Sequence, residues 1–249
     1  MSTLTILRHG KSIWNTEKRF TGWTDVELNP RGLAEARQAG QMFKKRGLTF
    51  DLCFTSYLSR ATETLRIVLD TMELSHVEVQ KDWRLNERHY GALQGLDWWQ
   101  ATRKYGVQQL LTWKREFDVP PPPLTVNDPR FPGHDPLYAH LSQETLPCGE
   151  SLKDTLARLL PFWHDVAVPK LHQGRHILIV AHHNSLRCLQ KHIENIDDAD
   201  IARVKIRTAD AIRYEMDDQM RPIRREKICQ PSRLGIFMQQ FCGYWTRTG

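Results

Sequence analysis

Apolar residues follow two periods along this chain. Short runs over Thr3 to Leu7, Asp51 to Thr55, Val77 to Val79 and His176 to Ala181 read as strands, the last being the most apolar. Between them the period becomes helical. Asn29-Pro30 is a helix start, a capping side chain followed by proline at the first helical position. Leu33, Ala36, Met42 and Phe43 then give an apolar face over Pro30 to Arg46, with a stop at Gly47. Ser59 reads as the cap of a helix whose inner stripe is Leu65, Val68, Leu69 and Met72, and Asp97 as the cap of Trp98 to Tyr105. Further helices are predicted over Val107 to Glu116, Glu150 to Leu171 with an interruption at Pro161, and Ser185 to His192. Ile212 to Met216 and Ile223 to Ile228 predict an antiparallel pair around Asp217-Asp218.

This alternation predicts an α/β three-layer sandwich, a mostly parallel central sheet flanked by helices. One domain over residues 1–249 is expected. Pro120 to Pro123, Pro129, Pro132 and Pro136 exclude helix and central strand, leaving a loop of roughly thirty residues of the kind that forms lids and binding loops. It belongs to an insertion over one end, residues 86–148. In the tail, residues 231–249, Phe237, Phe241 and Trp245 recur at helical spacing and are expected to pack on the domain.

Composition narrows the function classes. With 40% hydrophobic and 26% charged residues the balance is globular, and no apolar run approaches the ~20 residues of a membrane span. Met1-Ser2-Thr3 lacks the build of a signal peptide, so a cytoplasmic protein with no membrane partner is expected. The five cysteines (Cys53, Cys148, Cys188, Cys229, Cys242) are scattered and read as reduced thiols, neither disulfides nor a zinc site. The net charge of +6 is spread along the chain, without a sustained basic run interleaved with aromatics. That favours a small polyanionic substrate over nucleic acid.

Two strand ends carry the chemistry. Leu7-Arg8-His9-Gly10 closes the first strand, and Ala181-His182-His183-Asn184 closes the most apolar one at the start of a helix. Ligands of open α/β sheets bind at such ends, and helix N-termini favour anions. A neutral imidazole can attack phosphorus, and a guanidinium can hold two phosphate oxygens. Arg60, beside Ser56 and Ser59, is placed to join them in one phosphate pocket. Hydrogen-bonded histidines without chemistry are the competing reading. A metal site is not expected, because no His-x-x-x-His pair with an acidic ligand is present and arginines would oppose a cation.

Leu7-Arg8-His9-Gly10 with Trp14-Asn15, Arg19-Phe20-Thr21-Gly22-Trp23, Leu85-Asn86-Glu87-Arg88-His89-Tyr90-Gly91, Pro132-Gly133-His134-Asp135-Pro136 and Asn184-Ser185-Leu186-Arg187 resemble the cofactor-dependent phosphoglycerate mutases of the histidine phosphatase superfamily. The resemblance covers residues from about 3 to 228. It implies interconversion of 3- and 2-phosphoglycerate through phospho-His9, with 2,3-bisphosphoglycerate as phosphoryl donor and no metal. It further implies that Arg8, Arg60 and His182 stabilise the transferred group and that Glu87 moves the hydroxyl proton. Ser12, Asn15, Thr21, Gly22, Arg88, Tyr90, Lys114, Arg115, His183 and Asn184 would bind the small phosphorylated acid. A homodimer or homotetramer is the implied assembly.

Four positions depart from the family pattern. Lys11 stands for glutamate, His183 for the glycine of Ala-His-Gly-Asn, Trp98 for a substrate-binding lysine, and Arg207-Thr208-Ala209 for Pro-Thr-Gly. Lys11 is expected to alter charge beside His9, and His183 to crowd the phosphate or add a donor. These departures leave two alternatives to mutase turnover: a phosphatase acting on another phosphorylated acid, or a catalytically weak or inactive binding protein.

Overall fold

The computed structural model describes residues 2–228 and 245–246. Strand β1 (Ser2–Arg8) leads into helices α1 (Ile13–Glu17) and α2 (Pro30–Lys45), then β2 (Leu52–Thr55), α3 (Ser59–Met72) and β3 (Val79–Lys81). Helices α4 (Trp98–Tyr105) and α5 (Val107–Arg115) precede an irregular proline-rich stretch with isolated helical turns. Helices α6 (Leu152–Phe162) and α7 (Val168–His172), strand β4 (His176–Ala181) and helix α8 (His183–Glu194) follow. Strands β5 (Ala211–Met216), β6 (Pro222–Ile228) and β7 (Trp245–Thr246) come last. All lie in one sheet of order β3-β2-β4-β1-β5-β6-β7. β3, β2, β4 and β1 are parallel neighbours, and β5, β6 and β7 extend the sheet antiparallel.

Alternation of side chains along the buried strands builds the layers. Leu4, Ile6, Phe54, Ile177 and Ile179 face one side and pack against Leu159 and Phe162 of α6, Leu171 of α7, and Leu186 and Leu189 of α8. Leu7, Cys53, Leu178 and Val180 face the other and meet Ala39 and Phe43 of α2 and Leu65, Val68 and Leu69 of α3. Burying each such leucine, isoleucine or phenylalanine stabilises the fold by roughly 1.5–3 kcal/mol. β1 and β4 are covered on both faces, which is why their sequences are continuous apolar runs.

Several boundaries differ from the sequence reading for identifiable reasons. Ser59 is the first residue of α3, not its cap; Leu58 holds the cap position without a side-chain bond. The free Ser59 N–H donates instead to Asp25 Oδ1 at 2.8 Å, a cap supplied from another part of the chain. The third strand lies at Val79–Lys81, set by its pairing with β2 rather than by Val77. The predicted helix over 150–171 does break near Pro161. Trp163–Ala167 forms a π-helical turn directly after Phe162, with the Val168 N–H donating to the Trp163 carbonyl. Helix α8 begins at His183, two residues before the predicted start. The predicted antiparallel pair corresponds to β5 and β6. Phe237 and Phe241 of the aromatic tail stripe lie outside the described residues; Trp245 belongs to β7, extended rather than helical.

Residues 86–148 contribute no strand. They carry apolar clusters of their own, one built on Phe131, Tyr138 and Leu146 around Trp23, the other on Leu93, Ala101, Leu110 and Trp113. Among the described residues no helix is long and apolar enough to cross a membrane.

Candidate active site

Register builds the centre of the site. β1 and β4 pair with Leu7 opposite Val180 and Arg8 opposite Ala181, and the His9 N–H donates to the Ala181 carbonyl at 3.0 Å. The next step along each strand brings His9 beside His182, with ring centroids 5.0 Å apart. Gly10 follows, where the backbone passes α2 so closely that a Cβ would lie 2.4 Å from the Gly32 carbonyl oxygen. The His9 Nδ1 lies 2.6 Å from the Gly10 carbonyl oxygen. A carbonyl only accepts, so Nδ1 carries the proton and Nε2 keeps its lone pair.

Two guanidinium groups flank this imidazole. Arg60 is 1% exposed and donates to the carbonyls of Thr24 and Gly22 at 3.0 and 2.8 Å. Burial brings its pKa down to about 10, still a cation at neutral pH. Arg8 donates Nη1–H to the Ile206 carbonyl at 2.8 Å, while its buried Nε has no hydrogen-bond partner among the described residues. Burial, then Arg60 and Arg8, hold the His9 pKa well below the usual histidine value, so its neutral form is the resting one. The Glu87 carboxylate is fixed at Oε1 by the backbone N–H groups of Arg88 (2.9 Å) and Asn184 (3.0 Å), the latter in the first turn of α8.

These groups line a cavity of about 710 Å³. Of the residues the sequence put forward, Arg8, His9, Asn15, Thr21, Gly22, Arg60, Glu87, Arg88, Tyr90, Lys114, His183 and Asn184 are on its wall. His182 is not: it is fully buried behind His9, with Nε2 at 2.8 Å from Ser56 Oγ. Ser12 is also off the wall, because its hydroxyl is committed to a capping box with Asn15 at the start of α1. Arg115 lies exposed outside the cavity. Among the described residues no group of three or more His, Cys, Asp or Glu is placed to hold a metal ion.

The departures from the family pattern resolve individually. Lys11 does not reach the cavity wall, and its backbone N–H is held by Glu35 Oε2 at 3.0 Å. Lys11→Glu is therefore expected to leave kcat/KM within about threefold, as screening through water weakens a charge outside the cavity; a larger change in steady-state assays would refute that placement. His183 is on the wall, and the cavity persists beside it, so the ring does not seal off His9. Its pKa is lowered well below the usual value by burial, Arg8, Arg187 and Lys114, leaving a neutral ring able to donate or accept. Arg207 is exposed and off the wall. Ala209 takes the left-handed conformation at φ 55°, its N–H donating to the Arg8 carbonyl at 3.1 Å. Its methyl is buried beside Leu7, which offsets the conformational cost of standing where glycine is usual.

Sequence reasoning missed two sets of residues. Arg187 is on the wall, one helical turn after Asn184, and its buried Nε has no hydrogen-bond partner among the described residues; the i, i+3 spacing on α8 was the available signal. Arg158 and Glu150 form a buried bidentate pair at 2.7 and 3.0 Å. Arg158 also donates to the Arg84 carbonyl at 2.7 Å, and Glu150 Oε2 accepts the His89 N–H at 2.7 Å. The pair pins the segment that presents Glu87, and only folding brings it together.

Two consequences are measurable. Gly22 has φ 56°, and a Cβ there would meet Gln94 Oε1 at 2.1 Å, the atom that accepts the Trp23 N–H. Gly22→Ala is expected to destabilise by roughly 2–3 kcal/mol in urea unfolding; an unchanged midpoint would contradict it. His9, His182 and His183 are held well below the usual histidine value, and His89 at about 4, all first by burial. Below pH 6.5 the unfolded chain binds protons that the folded chain refuses, so stability falls as pH falls. For His89 the loss is roughly 1.4 kcal/mol per pH unit between 6.5 and about 4. Melting temperatures should drop steadily from pH 7 to 5; a flat profile would disprove burial of these rings.

With this geometry in view, the comparisons fall into place. The family model described as the histidine phosphatase superfamily (branch 1) matches residues 4–227, and the chain belongs to that superfamily, one of phosphoryl-transfer enzymes comprising phosphatases and mutases. Among solved structures it is similar to a mycobacterial glucosyl-3-phosphoglycerate phosphatase complexed with VO3, at 24% identity and TM-score 0.67, covering 86% of this chain and 92% of that one. It is likewise similar to YhfR of Bacillus stearothermophilus (22% identity, TM-score 0.64, 87% and 92% covered). A putative alpha-ribazole-5'-P phosphatase of Escherichia coli also matches (19% identity, TM-score 0.65, 89% and 93% covered). At these identities the likeness establishes the fold.

Proposed function

We propose that the protein interconverts 3- and 2-phosphoglycerate through phosphorylation of His9 Nε2, without a metal. The observation that carries this reading is a second set of cations in the cavity. Arg8 and Arg60 flank His9, and Arg88, Arg187 and Lys114 line the same cavity. Among the described residues the buried Arg88 Nη2 and Arg187 Nε have no hydrogen-bond partner, as expected of donors awaiting an anion. A simple monophosphate needs only the first pair; a phosphorylated acid, or a bisphosphate, uses both sets. Bound 2,3-bisphosphoglycerate would supply the phosphoryl group that primes His9.

The residues divide the work accordingly. His9 Nε2 forms the bond to phosphorus as the phosphorus–oxygen bond to the departing hydroxyl breaks. Arg8 and Arg60 meet charge on the equatorial oxygens, for which preorganised donors are worth roughly 3–4 kcal/mol each. Glu87 gives a proton to the departing oxygen and takes one from the attacking hydroxyl. His182, packed behind His9, orients it.

Trp98 favours a second reading. It lies on the cavity wall where the resemblance puts a lysine, removing one contact to a small acid. Two of the similar proteins named above are phosphatases by description, and hydrolysis of another phosphorylated substrate is the activity this reading assigns. The test starts with 2,3-bisphosphoglycerate and intact-mass measurement, followed by 3-phosphoglycerate with product resolved by phosphorus NMR. Isomer exchange faster than phosphate release supports the mutase. Release without exchange supports the hydrolase, and absence of any phosphoryl adduct overturns both.

A further inference from the structure

Part of the cavity wall is aromatic, with charged neighbours that include Glu17, Arg19 and Asp97. Trp14, Phe20, Trp98 and Trp113 lie there, and Trp99 beside them is 79% exposed. The wall is firmly backed. Phe20 stacks on Trp98 with centroids 6.4 Å apart, the Lys114 ammonium lies 5.6 Å over the Trp98 ring, and Phe20, Trp98 and Trp113 belong to one packed apolar cluster. A three-carbon acid offers these rings nothing to cover. The cavity's volume of about 710 Å³ falls among those that enclose drug-sized ligands, roughly 300–1,000 Å³. An exposed tryptophan at the rim of such a cavity is apolar surface placed where a ligand passes.

We infer that the enzyme also hydrolyses phosphomonoesters whose organic part carries an apolar ring, the ring seated against Trp98 and its neighbours while the phosphate meets His9. The inference rests on the phospho-His9 chemistry proposed above and adds a substrate class. His9 Nε2 takes the phosphoryl group, and the leaving alcohol receives a proton from Glu87. Water, deprotonated by Glu87, then cleaves the phosphorus–nitrogen bond and releases inorganic phosphate.

The test compares 2-(1-naphthyl)ethyl phosphate with ethyl phosphate. Both leave as primary alcohols, so the comparison isolates the ring. Burying an apolar ring predicts kcat/KM at least about tenfold higher for the naphthyl ester. Trp98→Ala and Trp98→Lys should reduce that ratio severalfold, and Trp98→Phe should retain most of it. A wild-type ratio near one overturns the inference, as does a ratio unmoved by Trp98→Ala and Trp98→Lys. Mass measurement after each ester separates the two levels. Phospho-His9 formed without preference for the ring sinks this inference alone, whereas no phosphoryl adduct and no turnover with any donor sinks the reading on which it rests.

Discussion

His9→Ala is expected to lower phosphoryl-transfer turnover by at least about 10⁴-fold and to abolish the phosphoryl adduct seen by intact mass. The magnitude follows from the arrangement around the ring. Nδ1 is occupied by the Gly10 carbonyl, leaving Nε2 as the nitrogen able to attack, and burial keeps that nitrogen unprotonated. His182 does not replace it: it is off the cavity wall, with its Nε2 engaged by Ser56. Because His9 is 2% exposed, the substitution also leaves a small void, so His9→Gln, closer in volume, is the companion variant. Both should lose the adduct while retaining a cooperative melt. Adduct formation at wild-type level in either variant would move the nucleophile elsewhere.

Glu87→Gln is expected to reduce kcat/KM, which reports the steps up to departure of the leaving group, by roughly 10²–10⁴-fold on alkyl phosphates, the range for a positioned general acid. Glutamine keeps an oxygen for the N–H groups of Arg88 and Asn184, so the wall should survive while the transferable proton is lost. The loss should be much smaller on p-nitrophenyl phosphate, whose leaving group departs without a proton. Equal losses on both esters would show that Glu87 acts through position or charge instead. Thermal melts of the two proteins provide the control for folding.

What could be read from the sequence was whatever a single element encodes. The run ending in Arg8-His9 and the run ending in His182 each announced a strand and its tip, and the capping residue Asp97 announced α4. What escaped was whatever two distant segments make together. The N–H at the start of α3 is capped by Asp25, which no local pattern around Ser59 reveals. Val79–Lys81 is a strand because β2 pairs with it; its own residues are largely polar. Sequence neighbours of the functional residues misled in the same way. Lys11 sits two places from His9 yet outside the cavity, and Ser12 spends its hydroxyl on a helix cap. Conversely Arg158 and Glu150 gain their places only through burial.

The pairing of β1 with β4 also bears on how the protein is made. β1 leaves the ribosome well before its parallel neighbour His176–Ala181, and its other neighbour, β5, comes later still. At about 5–20 residues per second, the most apolar N-terminal segment waits roughly ten to thirty seconds for a partner. During that interval Leu4, Ile6 and Leu7 are a sticky, unpaired strand, and His9 is an ordinary exposed histidine. Chaperone dependence and yield at high expression temperature should therefore be governed by this first strand, more than by any residue that touches the substrate.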